Sequence, residues 1–295
     1  MRIQNNITAI NSHRNYGINN LAIGKNMEKL SSGYRVNRAA DDAAGLAISE
    51  KMRAQIRGLN MASRNSQDGI SMVQIAESGM QTIQDILQRM RELAVQAASD
   101  TNEDNIDRPS LQKEIDALID EIDEIADTTE FNTMKLLDGT FVNKKIQAGA
   151  NAGQETPISI QSLSAAGLVT TITAGTFSVK DLKTNTVGGS FIGSAVGGLR
   201  TQTAASASIT VINDAINAIS EHRANLGAIQ NRLEYKIKNL DNAAENMAAA
   251  ESRIRDADMA KLMTEFTKNN ILFQASTAML AQANTLPQSV LQLLG

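Results

Sequence analysis

Cysteine and tryptophan are both missing from this chain, aromatic residues make up only 3% of it, and there are three prolines. Without cysteine there is no disulfide, no thiol nucleophile and no cysteine-ligated metal. The shortage of aromatics leaves Ile, Leu, Val, Met and Ala to supply a hydrophobic content of 42%. That content is too high for a wholly disordered chain, and its palette is that of helix seams. Nor is there a run of about 18 apolar residues that would span a membrane. The nearest approach, residues 269–295, carries no charged side chain but is interrupted by Asn284, Pro287, Gln288 and Gln292. A partner-binding surface is expected there, not membrane insertion. The opening MRIQNNITAINSHRNYG scatters isoleucines among Asn, Ser and Thr, so it lacks the apolar block of a secretory signal peptide, and export would need another route.

Groups able to do chemistry are equally sparse. His13 and His222 fall on separate helical stretches, outside the spacing of a helical zinc site, and no glycine-rich phosphate loop follows a strand. Acid pairs such as Asp41-Asp42 and Asp256 with Asp258 are simplest as helix caps and surface charge. We therefore expect no enzyme, no cofactor and no metal. The formal net charge is -4; the first sixty residues are mildly basic, whereas residues 100–130 are dominated by carboxylates. The N-terminal cations alternate with acids and amides instead of forming a stripe, so nucleic acid is not an expected partner.

What is present is helical periodicity at both ends. Ile3, Ile7 and Ile10, then Ile18, Leu21, Ile23, Met27, Leu30 and Tyr34, form a stripe interrupted near Arg14 and Gly17. Ser31-Ser32-Gly33 predicts a stop, because glycine tolerates the left-handed residue that ends many helices, and Asp41 or Asp42 can cap the next helix. That helix is predicted over about 43–98, with Val73, Ala76, Met80, Ile83, Leu87, Met90 and Ala94 in unbroken three-four alternation. At about 1.5 Å per residue it would be on the order of 80 Å long, a rod and not part of a globule. After Pro109, Leu111, Ile115, Leu118, Ile122 and Ile125 keep the same spacing. Asp116, Asp120, Glu121, Asp123 and Glu124 occupy the other faces, as a solvated acidic side.

From 141 to about 206 the chain is rich in Gly, Thr, Ser and Val. Alternation over Pro157-Ile158-Ser159-Ile160 and Thr176-Phe177-Ser178-Val179 predicts short strands and loops. A second ladder then runs through Ile209, Ile212, Ile216, Ile219, Leu226, Leu233, Ile237, Leu240, Ala244, Met247 and Ile254, with Arg223, Gln230 and Glu251 at the remaining seam sites. Polar residues in a seam weaken it while fixing register and partner choice. Beyond Asp258 the phase changes to Leu272, Met279, Leu286 and Leu293, and Pro287 predicts a kink or a broken final turn.

The expected fold class is mainly α: long coiled-coil-like helices from both chain ends with a small β-rich insert in the middle. Residues 1–43 with 256–295 are expected to form a terminal helical core domain, residues 44–140 with 206–255 a helical rod, and 141–205 a short insert belonging to the rod. The rod seam is assigned to Val73, Met80, Leu87, Ile216, Leu226, Leu233 and Leu240. A self-assembly seam is assigned to Ile3, Ile7, Ile10, Leu21, Leu272, Met279, Leu286 and Leu293. These terminal stripes are too weak to fold alone in water. They are expected to be disordered in a monomer and to order against copies of themselves.

Two segments carry a family resemblance. LSSGYRVNRAADDAAGLAI (30–48) and QASTAMLAQAN (274–284) with LPQSVLQLL (286–294) resemble the two ends of bacterial flagellins, and the likeness covers roughly 1–140 and 206–295. The middle is far shorter than in flagellins with large outer domains. The resemblance implies a structural subunit that polymerises with itself into the flagellar filament for swimming motility. It also implies a secreted protein, exported unfolded through the flagellar type III channel and added at the distal tip. Implied partners are an export chaperone holding about 269–295, a cap protein and hook-associated proteins. Residues 88–96, QRMRELAVQ, resemble the patch recognised by the vertebrate Toll-like receptor for flagellin. Carried over, the likeness implies Arg89, Leu93 and Glu114 as receptor contacts. Independently, Met90 and Ala94 lie on the seam, which leaves Arg89, Arg91 and Leu93 to face neighbours, with filament packing as their primary expected role. A hook–filament junction protein and a lipid-binding helical protein are the alternatives.

Overall fold

The computed structural model describes residues 6–103, 106–172, 175–183 and 199–294. In chain order the elements are α1 (Ile7–Ser32), α2 (Ala43–Ala97), α3 (Asp107–Thr128), β1 (Glu130–Phe131), β2 (Met134–Lys135), β3 (Lys144–Gln147), β4 (Glu155–Ile158), β5 (Val169–Ile172), β6 (Gly175–Ser178), a helical turn Val179–Leu182, α4 (Gln202–Arg255) and α5 (Met259–Leu294). Two compact units divide this chain. One comprises Met1–Arg57 with Ala244–Gly295, the other Gly58–Ala243. Both long helices, α2 and α4, contribute to each.

The helix ends follow local chemistry. Gly33 closes α1 at φ 75°, its amide donating to the Lys29 carbonyl. Of the two acids offered as the next cap, Asp42 takes it: its Oδ1 accepts the Gly45 amide at 2.8 Å. Asp41 instead accepts the amides of Asn37 and Arg38 with Oδ2 at 3.3 and 3.2 Å, tightening the loop. α1 is one helix through Arg14 and Gly17, where its apolar stripe lapses. α4 begins earlier than its bulky apolar ladder, because the Ala- and Ser-rich stretch 203–208 is itself compatible with helix. α5 extends past Pro287 to Leu294.

In the second unit, Val73, Ala76, Met80, Ile83, Leu87 and Met90 from α2 join Ile115, Ile119, Ile122 and Ala126 from α3 and Ile212, Ile219, Leu226 and Leu233 from α4. All lie in one buried core. The buried line of α3 is therefore shifted from the predicted one: Leu111, Leu118 and Ile125 only flank it. Among the described residues the strands form three antiparallel hairpins: β1–β2 before the expected insert, and β3–β4 and β5–β6 within it. Leu136 and Leu137 from the segment after β2, and Phe141, Ile158, Ile160 and Leu163 from the insert, join the same core.

The acidic side of α3 does more than face water. Asp123 accepts the Ala165 amide at 2.8 Å and Asp120 pairs with Lys183. Nearby, Gln112 donates to the Leu182 carbonyl at 2.8 Å and accepts the Leu199 amide at 2.5 Å. These side chains staple the insert to the helix, because buried peptide groups of loops need partners that no ladder supplies.

Candidate assembly surfaces

In the terminal unit α1 and α5 lie antiparallel. Tyr16 stacks against Phe273 with ring centroids 4.9 Å apart, Asn19 Nδ2 donates to Ser276 Oγ at 2.8 Å, and Asn6 Nδ2 donates to the Ala283 carbonyl at 2.7 Å. These contacts occupy one side of each helix. No residue of α1 is buried. Ile7 and Leu21 are 61% and 72% exposed, and Ile10, Leu272 and Met279 are exposed with them. Ile18, Met27, Met259, Met263 and Ile271 add to the bare apolar surface. Of the remaining assembly-seam residues, Ile3 lies outside the described residues, as do the side chains of Leu286 and Leu293.

Where the helices break, the two connecting segments meet. Tyr34 and Asp256 form an antiparallel bridge, the Arg35 amide donates to the Arg255 carbonyl at 2.7 Å and the Ala257 amide to the Gly33 carbonyl at 3.0 Å. Arg255 stacks over the Tyr34 ring, 4.8 Å from its centroid, and donates to Glu50 at 2.5 Å. That hydrogen bond holds the Glu50 carboxyl below its ordinary range. Arg53 pairs with Glu251 at 3.6 Å. Sequence reasoning did not single out this clasp. Its signal was faint: an aromatic and two arginines beside two helix breaks.

The rod-seam residues are brought together. Val73, Met80, Leu87, Leu226, Leu233 and Leu240 are buried, and Ile216 packs against the core from its edge. Arg223, the polar interruption in that seam, donates to Gln84 at 2.7 Å and pairs with Glu77 at 3.4 Å, so a polar site on α4 is matched by polar sites on α2.

On the outer face of α2, Arg89 lies between Glu92 at 3.0 Å and Glu114 at 2.9 Å. The two carboxylates, Glu114 first, raise its pKa further. Leu93, expected to face outward beside it, is 1% exposed. The expectation counted one seam on α2. Residues from α3 and α4 share its core, so the buried arc of α2 is wider than a single stripe. Arg89 and Glu114 form a surface pair while Leu93 packs beneath.

Among the described residues no His, Asp or Glu cluster could hold a metal ion, and no helix is long and apolar enough to cross a membrane.

Two matches decide what this arrangement is. Residues 3–142 match the bacterial flagellin N-terminal helical region, and residues 209–294 match the bacterial flagellin C-terminal helical region. The chain belongs to the bacterial flagellin family. It is 53% identical to the flagellin of Halalkalibacterium halodurans over 294 residues, spanning all of both chains. It is equally identical to the flagellin of Bacillus subtilis over 309 residues, again end to end. A flagellar filament 33 kDa core protein of Treponema phagedenis is 46% identical over 304 residues with full coverage of each. Flagellin is a family of structural subunits of the flagellar filament, and the mainly α architecture, with long helices from both ends around a small strand insert, is the one its terminal regions require. The two matched regions leave out 143–208, which includes β3–β6 and the first residues of α4. The end-to-end relatives extend the flagellin likeness across that middle as well.

Proposed function

We propose that this flagellin elongates a filament by docking the bare stripes of α1 and α5 against copies of themselves. The observation that carries the proposal is the contrast between its two seams. Val73, Met80, Leu87, Leu226 and Leu233 are already buried within one chain, whereas Ile7, Ile10, Leu21, Leu272 and Met279 are not. Large apolar side chains left bare at repeated positions along two helices support an interaction surface there. The proposed division of labour is a terminal domain, 1–43 with 256–295, whose helices become stable only on assembly, and a rod, 44–140 with 206–255 and the insert 141–205, that folds beforehand.

In this proposal the subunit leaves the cell unfolded through the flagellar secretion channel and is added at the distal tip beneath a cap protein. Hook-associated proteins lie at the filament base. A cytoplasmic chaperone covers the uncharged tail until export, which its exposed apolar residues would otherwise make prone to premature association. Recognition by the vertebrate Toll-like receptor rests in this chain on the exposed Arg89–Glu114 pair, with Leu93 acting from beneath by holding the helix surface in place.

The test is seeded growth. Purified monomer added to sonicated filament seeds is expected to give long tubes by electron microscopy, and limited proteolysis is expected to trim both ends of the monomer but not of the polymer. Amorphous material under all conditions would overturn the proposal. Binding to one end of a seed without elongation would point to a junction protein.

A further inference from the structure

We infer that the methionines of the terminal helices form an oxidation-sensitive control on assembly, responding to two-electron oxidants such as hydrogen peroxide. The inference rests on the proposed role of α1 and α5 in filament growth. Met27 on α1 and Met259, Met263 and Met279 on α5 are 55%, 46%, 52% and 64% exposed, whereas Met72, Met80 and Met90 of the rod core are 5%, 1% and 0% exposed. A thioether reacts in proportion to its access to the oxidant, so the first group is open to attack and the second is shielded.

Placement makes the exposed group consequential. Met279 lies in the assembly stripe. Met259 and Met263 are one turn apart on α5. The antiparallel register that pairs Tyr16 with Phe273 and Asn6 with Ala283 brings Met27 level with residue 262. Three thioethers thus gather at one end of the α1–α5 pair and a fourth sits near the other. In each reaction a sulfur lone pair attacks one peroxide oxygen, the O–O bond breaks, a sulfur–oxygen bond forms and water leaves. Sulfur loses two electrons and peroxide gains them. The product sulfoxide is polar and chiral where the docking surface is apolar, and it is reversible by sulfoxide reductases. Burying such a group without a partner weakens docking on the order of tenfold or more per site. Subunits already in a filament are protected, because the same surface is covered.

The experiment treats full-length monomer with hydrogen peroxide, maps sulfoxides by peptide mass spectrometry and follows growth from untreated seeds. Loss of elongation by at least about tenfold is expected to track oxidation at Met27, Met259, Met263 and Met279. Reduction by methionine sulfoxide reductases is expected to restore growth. Preformed filaments given the same dose are expected to carry far less sulfoxide at these sites. Met279→Gln, a polar stand-in for the sulfoxide, is expected to slow growth without peroxide. Met61 and Met134 are exposed outside the terminal unit, so an M61L/M134L variant is expected to remain as peroxide-sensitive as the parent. Full oxidation of the four sites with undiminished growth overturns the inference, as does protection by M61L/M134L. Failure of untreated monomer to extend seeds would instead overturn the assembly proposal.

Discussion

Leu93 offers the sharpest test of how the rod is packed. Leu93 is buried in the core that α2 shares with α3, α4 and the insert, so Leu93→Ala removes three carbons from a close-packed interior. The lost transfer energy is about 2.4 kcal/mol at roughly 0.8 per methylene, and the cavity left behind brings the total to about 3–4 kcal/mol. Arg89→Ala, one turn away, removes ion pairs to Glu92 and Glu114 whose side chains are 70% and 43% exposed. Exposed pairs of this kind contribute about 0.2–1 kcal/mol. Urea unfolding of the monomer, followed by far-ultraviolet circular dichroism, separates the two. With a slope of about 2–3 kcal/mol per molar, Leu93→Ala is expected to lower the rod's midpoint by more than about 1 M and Arg89→Ala by a few tenths at most. Equal midpoints for the two variants would refute the packing argued here. The comparison also bears on receptor recognition. A loss of signalling in Leu93→Ala that follows the stability loss reports folding, while one in Arg89→Ala at unchanged stability reports contact.

Leu272→Asp with Met279→Asp is expected to abolish seeded growth, because a charge would be buried unpaired in the seam, while leaving the monomer's urea midpoint unchanged; equal loss of rod stability would show that the terminal unit supports the rod. Glu50 titrates below its ordinary range because Arg255 donates to it, so its contribution to the clasp is present above the ordinary glutamate pKa and lost as pH falls through the lowered folded value. The Glu50 carboxyl resonance followed by NMR is expected to titrate at lower pH in the parent than in Arg255→Gln, and identical midpoints would remove the clasp from the account. Gly58 and Gly69 form a contrasting pair. A Cβ at Gly58 would stand 2.9 Å from Ala150 Cβ and 3.2 Å from its Cα, whereas at Gly69 the near atom is the movable Ile146 Cδ1 at 2.4 Å. Gly58→Ala is expected to destabilise by about 1–3 kcal/mol from overpacking, while at Gly69→Ala a helix-propensity gain of up to about 1 kcal/mol offsets the strain. Thermal melts would show whether the two differ.

Much of the frame could be read from the chain because its signals are local. Gly33 and Asp42 mark a helix end and a helix start by backbone geometry and a single short side chain. The three-four ladders of α2 and α4 specify which side chains point inward whatever their partners turn out to be. Local signals failed where a residue's neighbour was remote in sequence. Where the apolar stripe lapses near Arg14 and Gly17, nothing local announces Tyr16 against Phe273 or Asn19 against Ser276. Asp120 and Asp123 looked like solvated acids because Lys183 and the Ala165 amide lie more than forty residues downstream. Leu93 looked like a surface residue because one stripe on α2 already seemed to account for one partner.

The two units show the same apolar code put to different use. In the rod each stripe is consumed within the chain: α2 faces α4 on one side and α3 with the insert on another, and even the polar seam position Arg223 finds Gln84 and Glu77. In the terminal unit the partnering between α1 and α5 uses Tyr16, Asn19 and Asn6 against Phe273, Ser276 and Ala283, which leaves Ile7, Ile10, Leu21 and Met279 bare. The pairing also half-buries Ile23, Leu30, Leu262, Phe266 and Leu280 and buries Ala283, so the isoleucines and leucines left bare are surplus to the fold of one chain. Surplus apolar stripes on a protein that must remain soluble before assembly are costly unless a second copy covers them. The clasp at Tyr34 and Arg255 closes both connections at one point, which makes loss of α1 and loss of α5 from their shared register a single event. A variant that opens the clasp, Arg255→Gln, should therefore speed the trimming of both monomer ends by the same factor; faster trimming of one end at an unchanged rate for the other would show that the helices order independently.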